Sequence, residues 1–179
     1  KFGSVSRVSV QKDPSAKKRN LNMYIVSEDL SGGLTLTNQT IKNNLKVWLN
    51  NYRMINDTID ILDPYIINIG IFFDIKATPG AEKFDTLQEC INSISENYSS
   101  KFFIGEPLYI SDIYKALNNV PGVLDVISVK LLNKIGSNYS GNVLDVKRNM
   151  SPDGGHLVVP KNAIIEIKFP EVDIKGKVR

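Results

Sequence analysis

The chain of 179 residues holds one histidine, His156, and one cysteine, Cys90. Catalysis by nucleophile and base would therefore draw on these two. An activated thiol needs a cationic neighbour or a helix N-terminus to lower its pKa. Cys90 lies in DTLQECINSI, a run of helical spacing without a cation, and reads as a small buried side chain. His156 follows Gly154 and Gly155 and reads as an exposed turn histidine rather than a general base. One Cys and one His cannot close a tetrahedral zinc site. Asp57, Asp60 and Asp63 recur every three residues, which on a helix lines three carboxylates along one face. A calcium loop instead needs ligands at alternate positions and a glycine at the sixth. The triplet thus reads as a solvated helix end leading to Pro64. Gly32-Gly33 and Gly154-Gly155 fit neither a dinucleotide fingerprint nor a phosphate loop. These positions imply no catalytic residue, no cofactor and no metal, and the chain reads as a non-enzyme.

The elements that would position any site are legible from periodicity. Leu21 to Ser27 reads as a strand, followed by a turn at Ser31, Gly32 and Gly33; Asp13 to Asn20, with Pro14 and a basic run, reads as a loop. Ile41, Leu45, Trp48, Leu49 and Tyr52 form one apolar stripe, predicting a helix over about Asn38 to Arg53, capped by Thr37 and packed on a core, with Lys42, Asn43, Lys46 and Asn50 on its wet face. Tyr65 to Ala77 puts Ile67, Ile69, Ile71, Phe73 and Ile75 on one parity and is expected as the buried central strand. Phe84, Leu87, Ile91, Ile94 and Tyr98 predict a second helix over 83–99, with Cys90 beside its stripe. A short third helix after Pro107 uses Ile110, Ile113, Tyr114 and Leu117, and Pro121 with Gly122 reverses the chain into a strand over Val123 to Leu132. A polar loop from Asn133 to Asn142, a short apolar element at Val143 to Val146 and a turn at Ser151 to Gly155 follow. His156 to Val159 and Ala163 to Phe169 flank Pro160, Lys161 and Asn162 as a closing hairpin. The expected fold class is α+β: a mixed sheet with two to three packed helices, a strand-helix-helix-strand core and a C-terminal β-hairpin. Its segments are 1–64, 65–132 and 133–179, or all three form one unit.

Composition excludes other classes. Hydrophobic residues at 42% and charged residues at 23% are ordinary globular values. No apolar run is long enough to span a membrane, and the start KFGSVSRVSVQKDP lacks the core of a signal peptide. A lone cysteine fits a reducing compartment, and Lys1 in place of an initiator Met reads as a fragment of a longer polypeptide. The net charge of +3 divides into +5 over 1–20, +2 over 161–179 and −4 between them. An acidic body with basic ends suits an acidic protein neighbour. RNA binding on an open sheet face needs stacked aromatics, and Phe72 is the sole aromatic on the outer parity of the best strand.

The runs LNMYIVSEDLSGGLTLTNQTIKNNLKVWLNNYRMINDTIDILDPYIINIGIFFDIK, NNVPGVLDVISVKL and LVVPKNAIIEIKFPEVDIKG, spread over Phe2 to Lys175, resemble the baseplate wedge proteins of T4-like contractile-tailed phages, within the baseplate J-like family. The V-P-G-V turn at Val120 to Val123, after a short helix, is the feature shared with the broad family. The resemblance implies the carboxy-terminal portion of a structural virion protein that joins wedges into a ring around the hub. It implies other copies of the chain and other wedge proteins as partners. It also implies location in the tail baseplate after assembly in the host cytoplasm, with no enzymatic activity, cofactor, small-molecule substrate or membrane. The alternatives from other classes are a nucleic-acid-binding α+β module and an enzyme using Cys90 or His156.

Within this reading the closing hairpin is expected to offer its edge to another copy, with Val158, Ile165 and Ile167 as apolar grip and Lys161 and Lys168 as steering charges. Lys175, Lys177 and Arg179 would add to that steering. The helix bearing Lys42, Lys46 and Arg53 is the next candidate interface.

Overall fold

The structure is a computed structural model that describes residues 5–13, 20–54, 57–98 and 102–179. Its elements in chain order are β1 (Arg7–Lys12), β2 (Asn20–Glu28), β3 (Leu34–Leu36), α1 (Gln39–Asn50), β4 (Thr58–Leu62), β5 (Tyr65–Ala77), α2 (Lys83–Tyr98), β6 (Leu108–Tyr109), α3 (Ile110–Asn118), β7 (Val123–Asn133), β8 (His156–Leu157), β9 (Ala163–Glu166), α4 (Pro170–Asp173) and β10 (Ile174–Val178). This is an α+β fold.

The strand expected at the centre has the expected bounds, and its neighbours explain why. β7 runs antiparallel along one edge of β5, from Ile69 to Ala77. On the other edge two parallel strands follow one another, β9 beside Tyr65 to Asn68 and β10 beside Ile71 to Ile75. Ile69, Phe73 and Ile75 are wholly buried, together with Cys90 and Ile94 of α2 and Ile113 and Leu117 of α3. The apolar parity is what packs these helices onto the sheet. On α2 the buried line is Thr86, Cys90 and Ile94, while Phe84 is exposed. Cys90 is therefore at the middle of the stripe rather than beside it. The turn at Pro121 and Gly122 forms as expected: Gly122 has φ +88, and its carbonyl accepts from the Thr78 amide at 2.9 Å.

Five expectations change. The closing hairpin does not form: β8 pairs with β6, and β9 pairs with β5. Ala163 to Glu166 is buried at every position, so this segment enters the sheet as an internal parallel strand instead of folding back on His156 to Val159. Asp57 to Asp63 contains β4, parallel to β2, because the β-branched Thr58, Ile59 and Ile61 outweigh the three-residue spacing of the carboxylates. Val143 to Val146 is not a strand; the adjacent Asn142 makes one bridge to Ile67, and Leu144 exchanges hydrogen bonds with the Asn133 side chain. The cap of α1 is Asn38, whose Oδ1 accepts from the Thr40 amide at 2.8 Å, whereas the Thr37 hydroxyl pairs with that of Ser27 at 3.0 Å. Finally, α1 is a surface helix. Ile41, Leu45 and Leu49 are half-buried, but Trp48 is 43% and Tyr52 70% exposed. The small sheet beneath it has four strands, β1, β3 and β4 about β2, and leaves Trp48 and Tyr52 of the stripe uncovered.

Besides β4, four strands lie outside those the periodicity marked: β1, β3, β6 and β10. β1 pairs antiparallel with β2 from Arg7 to Lys12, and β10 follows the short helix that Pro170 starts. The loop expected over 13–20 falls on residues 14–19, outside those described; the Asp13 amide donates to the Asn20 carbonyl at 3.0 Å. Segments 65–132 and 133–179 share one sheet through β9 and β10. In β10, a Cβ at Gly176 would lie 2.3 Å from the Phe73 ring and 2.7 Å from Leu87. Gly176→Ala is therefore expected to lower the unfolding free energy by about 1–3 kcal/mol through overpacking. A urea midpoint equal to that of the parent would contradict this placement of β10.

Candidate functional site

The positions proposed as an interface separate into two groups. Lys42 is the one buried residue of α1, and its ammonium meets Asp63 at 2.5 Å; Lys46 meets Asp60 at 3.7 Å. The face expected to be wet thus clamps α1 to β4 and its following loop. Arg53 is exposed and donates to the Asp57 carbonyl at 3.0 Å. On the second group the expectation fails in part. Ile165 and Ile167 are 1% and 7% exposed, members of the core cluster, and cannot grip another chain. Val158 is about half exposed, with its amide committed to the Asn149 carbonyl at 2.8 Å. Lys161 is exposed, and its carbonyl accepts from the Gln11 side chain. Lys168 donates to the Asn138 carbonyl at 2.7 Å and sits 5.7 Å from the Phe169 ring. Of the basic C-terminal group, Arg179 is committed to Asp74 at 2.6 Å.

The concave feature of this region is a cleft of about 250 Å³ where the small sheet meets β9. Its apolar walls are Leu34, Tyr98, Phe102 and Phe169, and Arg7, Glu166 and Lys168 supply polar groups. Tyr98 and Phe102 stack at 5.8 Å between centroids. A second, larger hollow shares Glu166, Lys168 and Phe169 with it. Glu166 is buried, and both of its oxygens are engaged: Oε1 accepts from the Leu34 amide and Oε2 from the Asn68 side chain, each at 2.6 Å. Its carboxylate thus joins β3 to β9 and β5. Arg7 pairs with Glu28 across β1 and β2, and that hydrogen bond is the main reason the Glu28 carboxyl is held below its ordinary range. None of these roles was legible in sequence, because Glu166 stands in an apolar run and its partners lie on distant segments.

A third polar cluster fixes the reversal into β10. The Asp173 carboxylate, fully buried, accepts from the Tyr139 hydroxyl at 2.7 Å and the Phe169 amide at 3.0 Å, and meets Lys134 at 3.3 Å. The same loop reaches β5: the Ser140 amide donates to Asn68 Oδ1 at 2.7 Å, and Asn142 Nδ2 donates to the Ile66 carbonyl at 3.1 Å. Ser140 to Asn142 thus occupies the edge of β5 that β7 leaves open.

The candidate dyad lies apart from the cleft, which neither Cys90 nor His156 lines. Burial pushes the Cys90 thiol up to about 11, opposite to what activates a nucleophile. The His156 ring stands 5.5 Å from that of Tyr109, on the β6–β8 pair. Among the described residues there is no group of three His, Cys, Asp or Glu side chains able to hold a metal, and no helix long and apolar enough to cross a membrane. No protein-family model matches the chain, and no curated protein matches it in sequence.

The hydrogen bond to Asp173 pushes the Tyr139 hydroxyl up to about 12. A tyrosine raised above its ordinary value of about 10 contributes stability in full below pH 10, and that contribution is lost as pH rises toward 12. Tyr139→Phe removes one donor from a buried carboxylate and is expected to cost about 1–3 kcal/mol at neutral pH. The deficit against the parent should vanish between pH 10 and 12 in urea titrations. A deficit that stays constant across that range would contradict the Tyr139–Asp173 bond.

Proposed function

We propose that the chain is a structural component of a contractile phage tail baseplate, a wedge protein whose copies join one another and other wedge proteins in a ring around the hub. The observation that carries this reading is the surface of the small sheet and its helix. Leu30, Leu36, Val47, Tyr52 and Met54 are each more than six-tenths exposed, all within 30–54. Trp48 and Tyr52 stand exposed together at the end of α1, with ring centroids 4.6 Å apart, and an exposed aromatic pair suits a surface that binds protein. The resemblance of the three quoted runs supports the identity of the assembly; the Val120 to Val123 turn, one of the features that carry it, lies between α3 and β7. In this role the polar ties on Asp173 and Glu166 serve rigidity. A ring component must transmit force without rearranging its own core.

Immunogold labelling with antibodies raised against this chain tests the reading on contractile-tailed particles from the source of the gene. Label is expected at the baseplate end of the tail. Particles without label, with the chain recovered only outside them, would contradict it.

A further inference from the structure

The two faces of the sheet formed by β10, β5 and β7 differ in chemistry. One carries Ile71, Phe73 and Ile75, buried with Cys90 and Ile94 of α2 and Ile113 of α3. Phe72, Asp74 and Lys76 alternate with these residues and lie on the other. Register fixes what stands beside this second row. Lys175 of β10 and Lys130 of β7 are the partners of Phe72, Lys177 and Ser128 those of Asp74, and Asp125 that of Lys76. Residues opposite one another share a face, so the lysines project on the side of Phe72. Gly176 agrees from the other side, since a Cβ there would strike the Phe73 ring.

Toward the start of β5 this face is closed, because the Lys134 side chain crosses Gly70 to reach Asp173 and the Ser140 amide meets Asn68. From Phe72 onward it is open: Lys76, Lys130, Lys175 and Lys177 are exposed and Phe72 is half-buried. Among the described residues none of these four lysines makes an ion pair. Asp74, the carboxylate at the middle of the face, is already neutralised by Arg179 Nε and Nη2 at 3.0 and 2.6 Å. Asp125 turns one oxygen to the Val126 amide at 2.9 Å. Four uncompensated lysines thus surround one aromatic ring, and a field of one sign on one face draws a polyanion.

Charge alone suits an acidic protein as well as a nucleic acid; the ring separates them. Lys175 and Lys130 straddle Phe72 from the two neighbouring strands, about 10 Å apart. An acidic peptide uses only the ammonium groups. An unpaired base uses the ring face as well, with its flanking phosphates on the lysines to either side. We infer that this face binds single-stranded nucleic acid, a base on Phe72 and backbone phosphates on Lys76, Lys130, Lys175 and Lys177. The alternation of β5 shows Phe72 as a lone aromatic; its pairing with β7 and β10 supplies the basic residues that surround it. A single stacking ring tolerates any base, so binding is expected to be insensitive to sequence. The inference does not rest on the baseplate reading, and the outcome of tail labelling leaves it unchanged.

Fluorescence anisotropy of the whole chain with labelled oligo(dT) and oligo(U) over a salt series is the test, with a labelled duplex and labelled polyglutamate for comparison. Both single strands are expected to bind, with log K falling against log salt at a slope of about −0.7 for each phosphate neutralised, about −3 for four lysines. Lys175→Ala with Lys177→Ala is expected to make that slope shallower by about 1.4. Phe72→Leu should weaken single-strand binding at least about fivefold with the slope unchanged. The lysines are exposed, so the double variant should melt with the parent and carries the test even where Phe72→Leu fails to fold. Absence of salt-dependent binding of either oligonucleotide overturns the inference, as does binding unchanged in the lysine double variant. Polyglutamate bound as tightly as the single strands overturns it and assigns the face to an acidic protein. A folded Phe72→Leu that binds like the parent, or a duplex bound as tightly as the single strands, overturns the placement of a base on the ring and the inference with it.

Discussion

Every part of this fold answers to the burial of one strand. β5 is thirteen residues long, with neighbours along both edges and side chains packed on both faces. Burial of that degree leaves no water to satisfy its polar positions, so each must find a partner in the protein. Asn68 and Asp74 are 1% and 7% exposed. Asn68 is held by Glu166 of β9 and by the Ser140 amide, and Asp74 by two nitrogens of Arg179. The C-terminal segment is thus placed as much by the polar needs of β5 as by apolar packing. Removal of one partner alone would strand a buried charge, which costs more than the pair contributes.

The same carboxylate that satisfies Asn68 also accepts from the Leu34 amide, so the small sheet is fastened to the core through Glu166. That link fixes the β2–β3 turn relative to the cleft beneath it. Ser31 to Leu34 therefore line one side of a cleft whose other walls include Tyr98, Phe102 and Phe169. The ion pairs Lys42–Asp63 and Lys46–Asp60 fasten α1 in turn to β4 and its following loop. The small sheet and α1 are therefore held by polar ties as well as by the burial of Ile25 and Val26.

What was legible in the sequence follows from the strength of its periodicity. Five large apolar residues at alternate positions bounded β5 to the residue, and the stripe of α2 needed only a small rotation, toward Cys90. The α+β class followed from these two and from the Pro121–Gly122 reversal. Alternation says nothing about which strand is the neighbour, so the His156 to Phe169 segment looked like a hairpin although its second strand enters the sheet beside β5. Ile164 and Ile165, apolar on both parities, were the signal that Ala163 to Glu166 is internal. For α1 the stripe was correct, but its cover was not, since the extent of the sheet beneath depends on pairings far along the chain. Leu30 carried a readable signal as a lone leucine in SEDLSGG, where turn chemistry alone would place a polar residue. Glu166, Tyr139 and Asp173 carried none, because their partners come from separated segments.

Native-state hydrogen exchange tests the central role of β5 most directly. The amides of Ile67 to Ile75 are predicted to exchange only through global unfolding and to be the slowest in the chain, with β9 and β10 close behind. Those of α1 should exchange through local opening at markedly lower free energy. If the amides of β2 or α1 proved the slowest while those of β5 exchanged by local opening, the strand on which this account rests would not be the element that holds the fold together.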